Sequence, residues 1–269
     1  MLENPRSPRV RAVAKLSKRS ARVETGLFLL EGPQAVREAL AYRPEGIIDL
    51  FATPSAWEKH ADVREAAQAE GAAVTFTTEG VLDAMADTVT PQGLVAVARQ
   101  FPASVRDVFA VSPRLVAICE EVRDPGNLGT IIRAADAAGA DAVVLTGRTV
   151  DPYNPKVVRA TTGSLFHLPI SLGGELEGVL KRARQAGLRV VAADVKGGDL
   201  LEARSSGLLA EPTAWLFGNE ARGLDDDALA LADASLKLPI YGRAESLNLA
   251  TAASVCLYES AFAQRSARA

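Results

Sequence analysis

The 269-residue sequence is 48% hydrophobic and 23% charged, and its formal net charge is −3. This length suffices for one large or two ordinary domains with a buried core, and the composition argues against a largely disordered chain. No apolar run approaches the ~18–20 residues that span a membrane, and no hydrophobic signal core follows the basic N-terminus, so we expect a cytoplasmic protein.

The N-terminal segment SPRVRAVAKLSKRSARVETG predicts one basic helix that ends at Gly26. A single Glu accompanies seven Lys and Arg residues over positions 1–22: Arg6, Arg9, Arg11, Lys15, Lys18, Arg19 and Arg22. Such a local basic arm on an acidic protein is either a solvated helix face or a surface that contacts nucleic acid.

Residues 1–101 are predicted to form a small α/β domain. The apolar runs GLFLLEG, GIIDLFAT, AAVTFTT and GLVAVAR predict strands, and helical patterns lie between them. The stretch QFPASVRDVFAVSP then breaks the alternation with two prolines. We therefore predict a linker over residues 102–112.

The second domain, residues 113–269, again alternates strands and helices and predicts a parallel sheet. The predicted strands are Leu115–Cys119, Ala142–Thr146, Leu188–Ala193, Ala214–Phe217 and Ser235–Leu238. The predicted helices begin near Asn127, Pro155, Gly174, Asp225 and Leu247. Ligands bind at the carboxyl ends of the strands in such sheets, so the residues that follow each strand are candidate site residues.

Polar residues follow the first predicted strand of this domain, in the first cluster (residues 124–140, DPGNLGTIIRAADAAGA). Asn127 is predicted to cap the following helix, and Gly129 would allow a close approach to its first turn. Arg133 either pairs with Asp136 or another acidic neighbour, or faces a ligand. The spacing GNLG does not match the G-x-G-x-x-G pattern of dinucleotide-dependent oxidoreductases, which disfavours that class.

Two later strands end in similar clusters. The second cluster (residues 215–229) contains Gly218-Asn219-Glu220, and a carboxylate between two glycines at a strand end is exposed to a pocket. The third cluster (residues 238–259) places Ser246 and Asn248 before a helix rich in Ala, Ser and Thr. Ordinary turns and helix caps would account for each cluster alone. The small-residue face of the helix would then be a tight packing contact or a dimer interface.

The three clusters, taken together and in this order, resemble the three motifs of the SpoU/TrmH branch of the SPOUT RNA methyltransferases. The matching residues are Asn127, Gly129 and Arg133, then Gly218, Asn219, Glu220, Gly223 and Leu224, then Leu238, Pro239, Ile240, Ser246, Leu247 and Asn248. The segments DPYNPKVVRATTGSLFHLP and PQGLVAVA also match. The N-terminal half resembles the RNA substrate-binding domain of many members.

This resemblance implies an α/β protein whose C-terminal parallel-sheet domain contains a deep trefoil knot, preceded by a small, ribosomal-protein-like α/β RNA-binding domain. It implies a homodimer formed through the C-terminal domain. The cofactor would be S-adenosylmethionine, and the reaction methyl transfer to a ribose 2′-hydroxyl of RNA. Ribosomal RNA, most often from the large subunit, is the expected substrate. Transfer RNA, or a non-catalytic RNA-binding role, is the alternative.

The resemblance also assigns roles to residues. The catalytic set is Asn127, Arg133, Glu220, Ser246 and Asn248, and the cofactor-binding set is Leu145, Thr146, Gly147, Gly218, Asn219, Leu238, Ile240 and Leu247. A guanidinium is essentially always protonated, so we predict that Arg133 grips an RNA phosphate rather than acting as a base.

With the resemblance in place, phosphate contact becomes the better interpretation of the basic arm. The predicted RNA-binding residues are Arg11, Lys15, Lys18, Arg19 and Arg22, with Lys156 and Arg159 as weaker candidates. Few aromatic residues accompany them, which favours recognition of RNA shape and backbone over base stacking. We expect no metal site, because Cys119 and Cys256 lie far apart in apolar surroundings and the two histidines do not pair with them.

Overall fold

The computed structural model describes residues 1–267. Its helices are α1 (Pro8–Lys15), α2 (Arg19–Thr25), α3 (Pro33–Tyr42), α4 (Pro54–Lys59), α5 (Ala61–Ala69), α6 (Glu79–Met85), α7 (Val105–Ala110), α8 (Pro125–Ala138), α9 (Pro155–Thr161), α10 (Leu176–Gln185), α11 (Leu200–Ser205), α12 (Asp226–Ala230) and α13 (Leu249–Ser266). Its strands are β1 (Leu27–Glu31), β2 (Ile47–Ala52), β3 (Val74–Phe76), β4 (Leu94–Arg99), β5 (Leu115–Glu120), β6 (Ala142–Thr146), β7 (Ile170–Leu172), β8 (Arg189–Asp199), β9 (Thr213–Phe217) and β10 (Ala234–Lys237). No helix within these residues is both long and apolar enough to cross a bilayer.

The chain forms two compact units. The first comprises residues 1–101 together with residues 151–167, and the second comprises residues 102–150 together with the chain from Leu168 onward. We predicted that residues 151–167 belong to the second domain, but they pack with the first unit. The predicted linker over 102–112 instead contains α7, which Ser104 caps by accepting a hydrogen bond from the Asp107 N–H.

The first unit contains a mixed sheet in the order β1-β4-β2-β3, formed from the strands that the sequence predicts. Strand β4 runs antiparallel to both β1 and β2, whereas β2 and β3 are parallel. The predicted single N-terminal helix is wrong, because the segment folds as α1 and α2. The break lies at residues 16–18, where the Leu16 and Ser17 carbonyls accept hydrogen bonds from the Arg22 Nη1 at 2.9 and 2.8 Å.

Residues 151–167 join the first unit through polar and aromatic contacts. Arg22, which is fully buried, pairs with Asp151 at 2.7 Å. The ring of Tyr153 lies 4.8 Å from that of Phe28, and its hydroxyl accepts a hydrogen bond from the Phe101 N–H at 2.9 Å. The partners are distant in sequence, so local patterns could not have predicted this packing.

The second unit contains a parallel sheet in the order β10-β8-β9-β5-β6-β7. The sequence predicts all of these strands except β7, a short edge strand of three residues. The carboxyl ends of β5, β9 and β10 lie at one edge of this sheet, because its strands are parallel. The first, second and third clusters follow these three strands, so the topology brings the clusters to the same edge.

Candidate functional site

The first cluster begins helix α8 with an Asp cap. The Asp124 carboxylate accepts a hydrogen bond from the Asn127 N–H at 2.7 Å, and Pro125 occupies the first helical position. The prediction that Asn127 caps this helix is therefore wrong. Because a short acidic side chain three residues earlier takes that role, the Asn127 amide is available for other partners.

The second cluster forms a tight turn directly after β9. Asn219 and Gly223 exchange backbone hydrogen bonds of 3.0 and 2.8 Å across this turn. A Cβ atom on Gly218 would lie 2.5 Å from the Gly223 carbonyl carbon, so only glycine fits there. The turn presents the Glu220 carboxylate towards the first cluster.

Glu220 connects the second cluster with the first. Its carboxylate accepts hydrogen bonds from the backbone N–H groups of Asp124 at 2.9 Å and Arg123 at 3.1 Å. The side-chain amide of Asn127 donates to it at 3.3 Å. One carboxylate therefore receives several donors from the start of helix α8, where the helix dipole also favours negative charge.

Asn127 connects the first cluster with the third. Its side-chain oxygen accepts a 2.9 Å hydrogen bond from the amide of Asn248. The Asn248 oxygen in turn accepts from the Ala250 and Thr251 N–H groups and caps helix α13. Glu220, Asn127 and Asn248 thus form one hydrogen-bonded chain, hereafter the polar network.

The polar network keeps Glu220 ionised. Burial acts to raise the pKa of this carboxyl, but the N–H donors of Asp124, Glu220 itself and Arg123, together with the Asn127 amide, outweigh burial and hold the pKa below its usual value. A carboxylate that is already satisfied by donors and has a lowered pKa is a poor proton acceptor. Its chemical use is to orient the amides around it.

The remaining predicted catalytic residues, Arg133 and Ser246, do not join the polar network. Both are exposed, and among residues 1–267 neither side chain makes a hydrogen bond or ion pair. The predicted alternative, in which Arg133 pairs with an acidic neighbour, finds no support in this part of the chain. A guanidinium on α8 without such a partner retains its donors for a ligand.

A cavity of about 750 Å³ lies beside Glu220, at the carboxyl ends of β8, β9 and β10. Of the predicted cofactor residues, Asn219, Leu238, Ile240 and Leu247 line this cavity, as do Ser246 and Glu220 from the catalytic set. Gly218 lies between two lining residues, Phe217 and Asn219. This volume is in the range of pockets that hold small organic ligands.

The other predicted cofactor residues, Leu145, Thr146 and Gly147, do not line this cavity. They end β6, which β5 separates from β9 in the sheet. The Thr146 hydroxyl donates to the Cys119 carbonyl at 3.3 Å, and a Cβ on Gly147 would lie 2.6 Å from the Glu120 carboxylate. Leu145 and Thr146 are buried, whereas Gly147 is exposed, so their place in the cofactor wall stays a prediction.

Sequence analysis missed the wall that the second half of β8 provides. Ala193, Asp194, Val195 and Lys196 line the cavity. The signal was present, because this predicted strand ends at the same sheet edge as β9. The segment contains no motif that marked it as a candidate site, however, so the predicted cofactor set does not include it.

The predicted RNA-binding residues divide into two groups. Arg11, Lys15, Lys18, Arg19 and Lys156 are exposed, as a phosphate contact requires. Arg22 and Arg159 are not available for such a contact. Arg22 is buried in an ion pair with Asp151, and Arg159 pairs with Glu31 and Asp87, each at 3.0 Å. Both hold residues 151–167 within the first unit.

Comparison with known sequence families gives two matches. The SpoU rRNA Methylase family matches residues 114–258. The MRM3-like substrate binding domain matches residues 7–96. Together these matches cover most of both predicted domains.

Among characterised relatives, the 23S rRNA (guanosine(2553)-2′-O)-methyltransferase RlmP of Bacillus subtilis is 33% identical over 96% of this chain and 97% of its own. The 23S rRNA (uridine(2479)-2′-O)-methyltransferase of Streptomyces viridochromogenes is 37% identical over 63% of this chain and 60% of its own. An AdoMet-bound rRNA methyltransferase from Sinorhizobium meliloti has a crystal structure with a TM-score of 0.83, at 34% identity over 96% of each chain.

Proposed function

The chain belongs to the SpoU rRNA methylase family, and we propose that it transfers a methyl group from S-adenosylmethionine to a ribose 2′-hydroxyl of large-subunit ribosomal RNA. The observation that carries this proposal is the polar network of Glu220, Asn127 and Asn248 beside the large cavity. It supports the proposal because it unites all three sequence clusters at one sheet edge.

The residues around the cavity fit the cofactor. The tight turn at Gly218, where no side chain fits, places Asn219 and Glu220 in the cavity lining. Leu238, Ile240 and Leu247 provide apolar surface, and Asp194 and Lys196 provide charge. S-adenosylmethionine, when bound, supplies an electrophilic methyl group on its sulfonium. We propose that the protein binds the cofactor through these residues and orients the RNA towards it.

Arg133 is the proposed RNA-orienting catalytic residue. Its exposed guanidinium, unpaired within residues 1–267, remains protonated and can hold a phosphate with two parallel N–H donors. This contact would fix the target ribose. One preorganised electrostatic donor of this kind contributes about 10²–10³ in rate.

The polar network has a supporting role in this proposal. Glu220 remains ionised and fixes the Asn127 amide, which fixes Asn248 at the start of α13. Ser246 precedes Asn248 in the same loop and lines the cavity. The network therefore holds the loop that borders both the cofactor cavity and the first cluster.

Ribosomal RNA is favoured over transfer RNA by the N-terminal half. Two relatives that match over 96% and 86% of this chain are named as 23S rRNA methyltransferases. A structure described as methylating C/U34 on tRNA covers only 58% of this chain. The exposed basic residues Arg11, Lys15, Lys18 and Arg19 support phosphate contacts by the first unit, and Lys156 is a further candidate. The cytoplasm, where the thiols of Cys119 and Cys256 would stay reduced, is the proposed location.

The homodimer and the trefoil knot are also proposals. Helix α13 leaves Val255, Tyr258 and Phe262 exposed along one face, which supports association with a second copy. A Cβ on Gly197 would lie 2.5 Å from the backbone of Ser235 and Leu236. Gly197 lies in β8, which pairs with β10, so this approach reflects the bulge in their pairing, and the knot is proposed from the family resemblance alone.

A methyl-transfer assay tests the proposed function. The purified chain is incubated with methyl-labelled S-adenosylmethionine and in vitro transcribed 23S rRNA, with a transfer RNA transcript in parallel. We expect label on 23S rRNA and a single new 2′-O-methyl position by site mapping. Label on transfer RNA alone would overturn the substrate assignment, and label on neither RNA would overturn the activity.

A further inference from the structure

Two arginines from different clusters share one carboxylate beside the polar network. Arg123 and Arg222 each place Nη2 on the same oxygen of Glu121, at 3.3 and 2.5 Å. The two arginine side chains are 50% and 70% exposed. We call Glu121, Arg123 and Arg222 the rim cluster.

The rim cluster is directly attached to the site. The backbone N–H of Arg123 donates to the Glu220 carboxylate at 3.1 Å. Arg222 follows Glu220 by two residues and lines the cavity. A molecule that lies across the polar network would therefore meet both guanidinium groups.

Glu121 is held in an uncommon conformation. Its φ of 54° lies in the left-handed region, which is unusual for a residue of this size. The Asn219 amide donates to its carbonyl at 2.9 Å, and its own N–H donates to the Thr146 carbonyl at 3.3 Å. Backbone strain that neighbouring contacts maintain is concentrated at functional sites. Here it fixes the carboxylate that both arginines share.

The rim cluster is not explained by a contribution to the stability of the fold. Exposed ion pairs contribute little to folding, and a second arginine on one carboxylate repels the first. The cluster instead carries a net charge of +1. Each guanidinium has five N–H donors, and the structure shows only Nη2 of each engaged by a side chain within residues 1–267.

We propose that Arg123 and Arg222 together bind one backbone phosphate of the RNA beside the target nucleotide, while Glu121 fixes the spacing of the two guanidiniums. A phosphodiester carries one negative charge, which matches the net charge of the rim cluster, and its two free oxygens suit two guanidinium forks. This inference rests on the proposed function, since RNA is the ligand. It assigns a substrate contact to residues outside the predicted catalytic and RNA-binding sets.

Binding of in vitro transcribed 23S rRNA at several salt concentrations tests the inference. The variants are Arg123→Gln, Arg222→Gln and the double variant. The control is Arg189→Gln, which removes another arginine, 41% exposed, with one carboxylate partner, Glu211 at 2.8 Å. Arg189 begins β8, so it lies at the opposite end of that strand from the cavity.

For the double variant we expect about tenfold weaker RNA binding at fixed salt, and a slope of log affinity against log salt reduced by about 0.7–0.9, the range for one lost phosphate contact on a single strand or a duplex. Each single variant should show most of this loss, because the two residues share one phosphate. Single losses that add up to the double loss would overturn the shared phosphate. A double variant that matches the Arg189→Gln control would overturn the contact itself.

Calorimetric titration of the same variants with S-adenosylmethionine completes the test. We expect cofactor affinity within twofold of wild type, which also shows that the variants are folded. Weakened cofactor binding with unchanged RNA binding would assign Arg222 to the cofactor and overturn the inference. A wild-type chain that binds RNA without transferring methyl would contradict the proposed function alone, because the binding measurements do not depend on catalysis.

Discussion

The side-chain amide of Asn248 donates a 2.9 Å hydrogen bond to the side-chain oxygen of Asn127, across 121 positions of sequence. The side-chain amide of Asn127 in turn donates a hydrogen bond to the Glu220 carboxylate. Residues that follow three different strands are thereby held in one fixed arrangement. Removing one member should consequently affect loops that it does not touch.

Replacement of Asn248 should separate its two roles. Asn248→Asp keeps an oxygen that caps the Ala250 and Thr251 N–H groups but loses the donor to Asn127, so we expect methyl transfer to fall about 10²-fold with stability retained. Asn248→Ala loses the cap as well and should cost about 1 kcal/mol of unfolding free energy. Urea unfolding and single-turnover assays measure the two effects. Full activity in Asn248→Asp would contradict the network's role.

Arg133→Ala should bind S-adenosylmethionine with unchanged affinity and lose methyl transfer by about 10²–10³, because the orienting guanidinium is gone. Arg182→Ala is the matched control, since Arg182 is another exposed helical arginine of the same unit. Calorimetry measures cofactor binding, and label transfer to RNA measures activity. Activity of Arg133→Ala within about threefold of wild type would show that Arg133 does not have this role.

Glu220→Gln should alter the pH dependence of stability. The pKa of Glu220 in the folded protein lies below the ordinary value of 4.5. The ionised carboxylate therefore stabilises the fold above pH 4.5, and this stabilisation is lost as the pH falls through the lowered pKa. We expect wild type to exceed Glu220→Gln in unfolding free energy at neutral pH, and the difference to shrink on acidification. A difference that is constant with pH would contradict the lowered pKa.

Arg22 and the exposed basic residues near it should respond oppositely to substitution. Arg22→Ala breaks a buried ion pair with Asp151 and should cost about 3–5 kcal/mol of unfolding free energy. The double variant Lys18→Gln, Arg19→Gln should change stability by less than about 0.5 kcal/mol, because both side chains are exposed. If both residues contact phosphates, its RNA-binding salt slope should fall by about 1.4–1.8. An unchanged slope would remove Lys18 and Arg19 from the RNA surface.

Phe262→Glu tests the proposed dimer. This residue is exposed on α13 next to Tyr258, at a ring distance of 5.5 Å. A carboxylate in the middle of an apolar interface would be desolvated, so we expect the variant to sediment as a monomer at concentrations where wild type is a dimer. Exposed Leu201→Glu, on α11, is the control. Identical sedimentation of wild type and Phe262→Glu would exclude this face as the interface.

Much of the site was predictable from sequence because parallel strands place their ends at one edge of a sheet. The positions of Asn127, Glu220 and Asn248 after three predicted strands were enough to place them near each other. The order of the strands was not predictable, since it depends on tertiary packing. This is why Leu145, Thr146 and Gly147 were expected at the cavity, although β5 lies between their strand and β9.

The roles predicted for Asn127 and Arg22 differ from those in the structure, the first for a local reason and the second for a long-range one. Asn127 and Asp124 are both good cap residues, and only the position at which the helix begins decides between them. Arg22 carries the same charge as its exposed neighbours. Its burial depends on Asp151, 129 residues away, and no local pattern contains that information.

The packing of residues 151–167 with the first unit has a consequence for synthesis of the chain. Translation releases the N-terminal half first, yet the partners of Phe28 and Arg22 emerge only with Tyr153 and Asp151. The interior of the first unit therefore stays incomplete until residues 102–150 of the second unit have been synthesised. Many multidomain chains finish one domain before the next begins. This chain must finish its two units in an interleaved order.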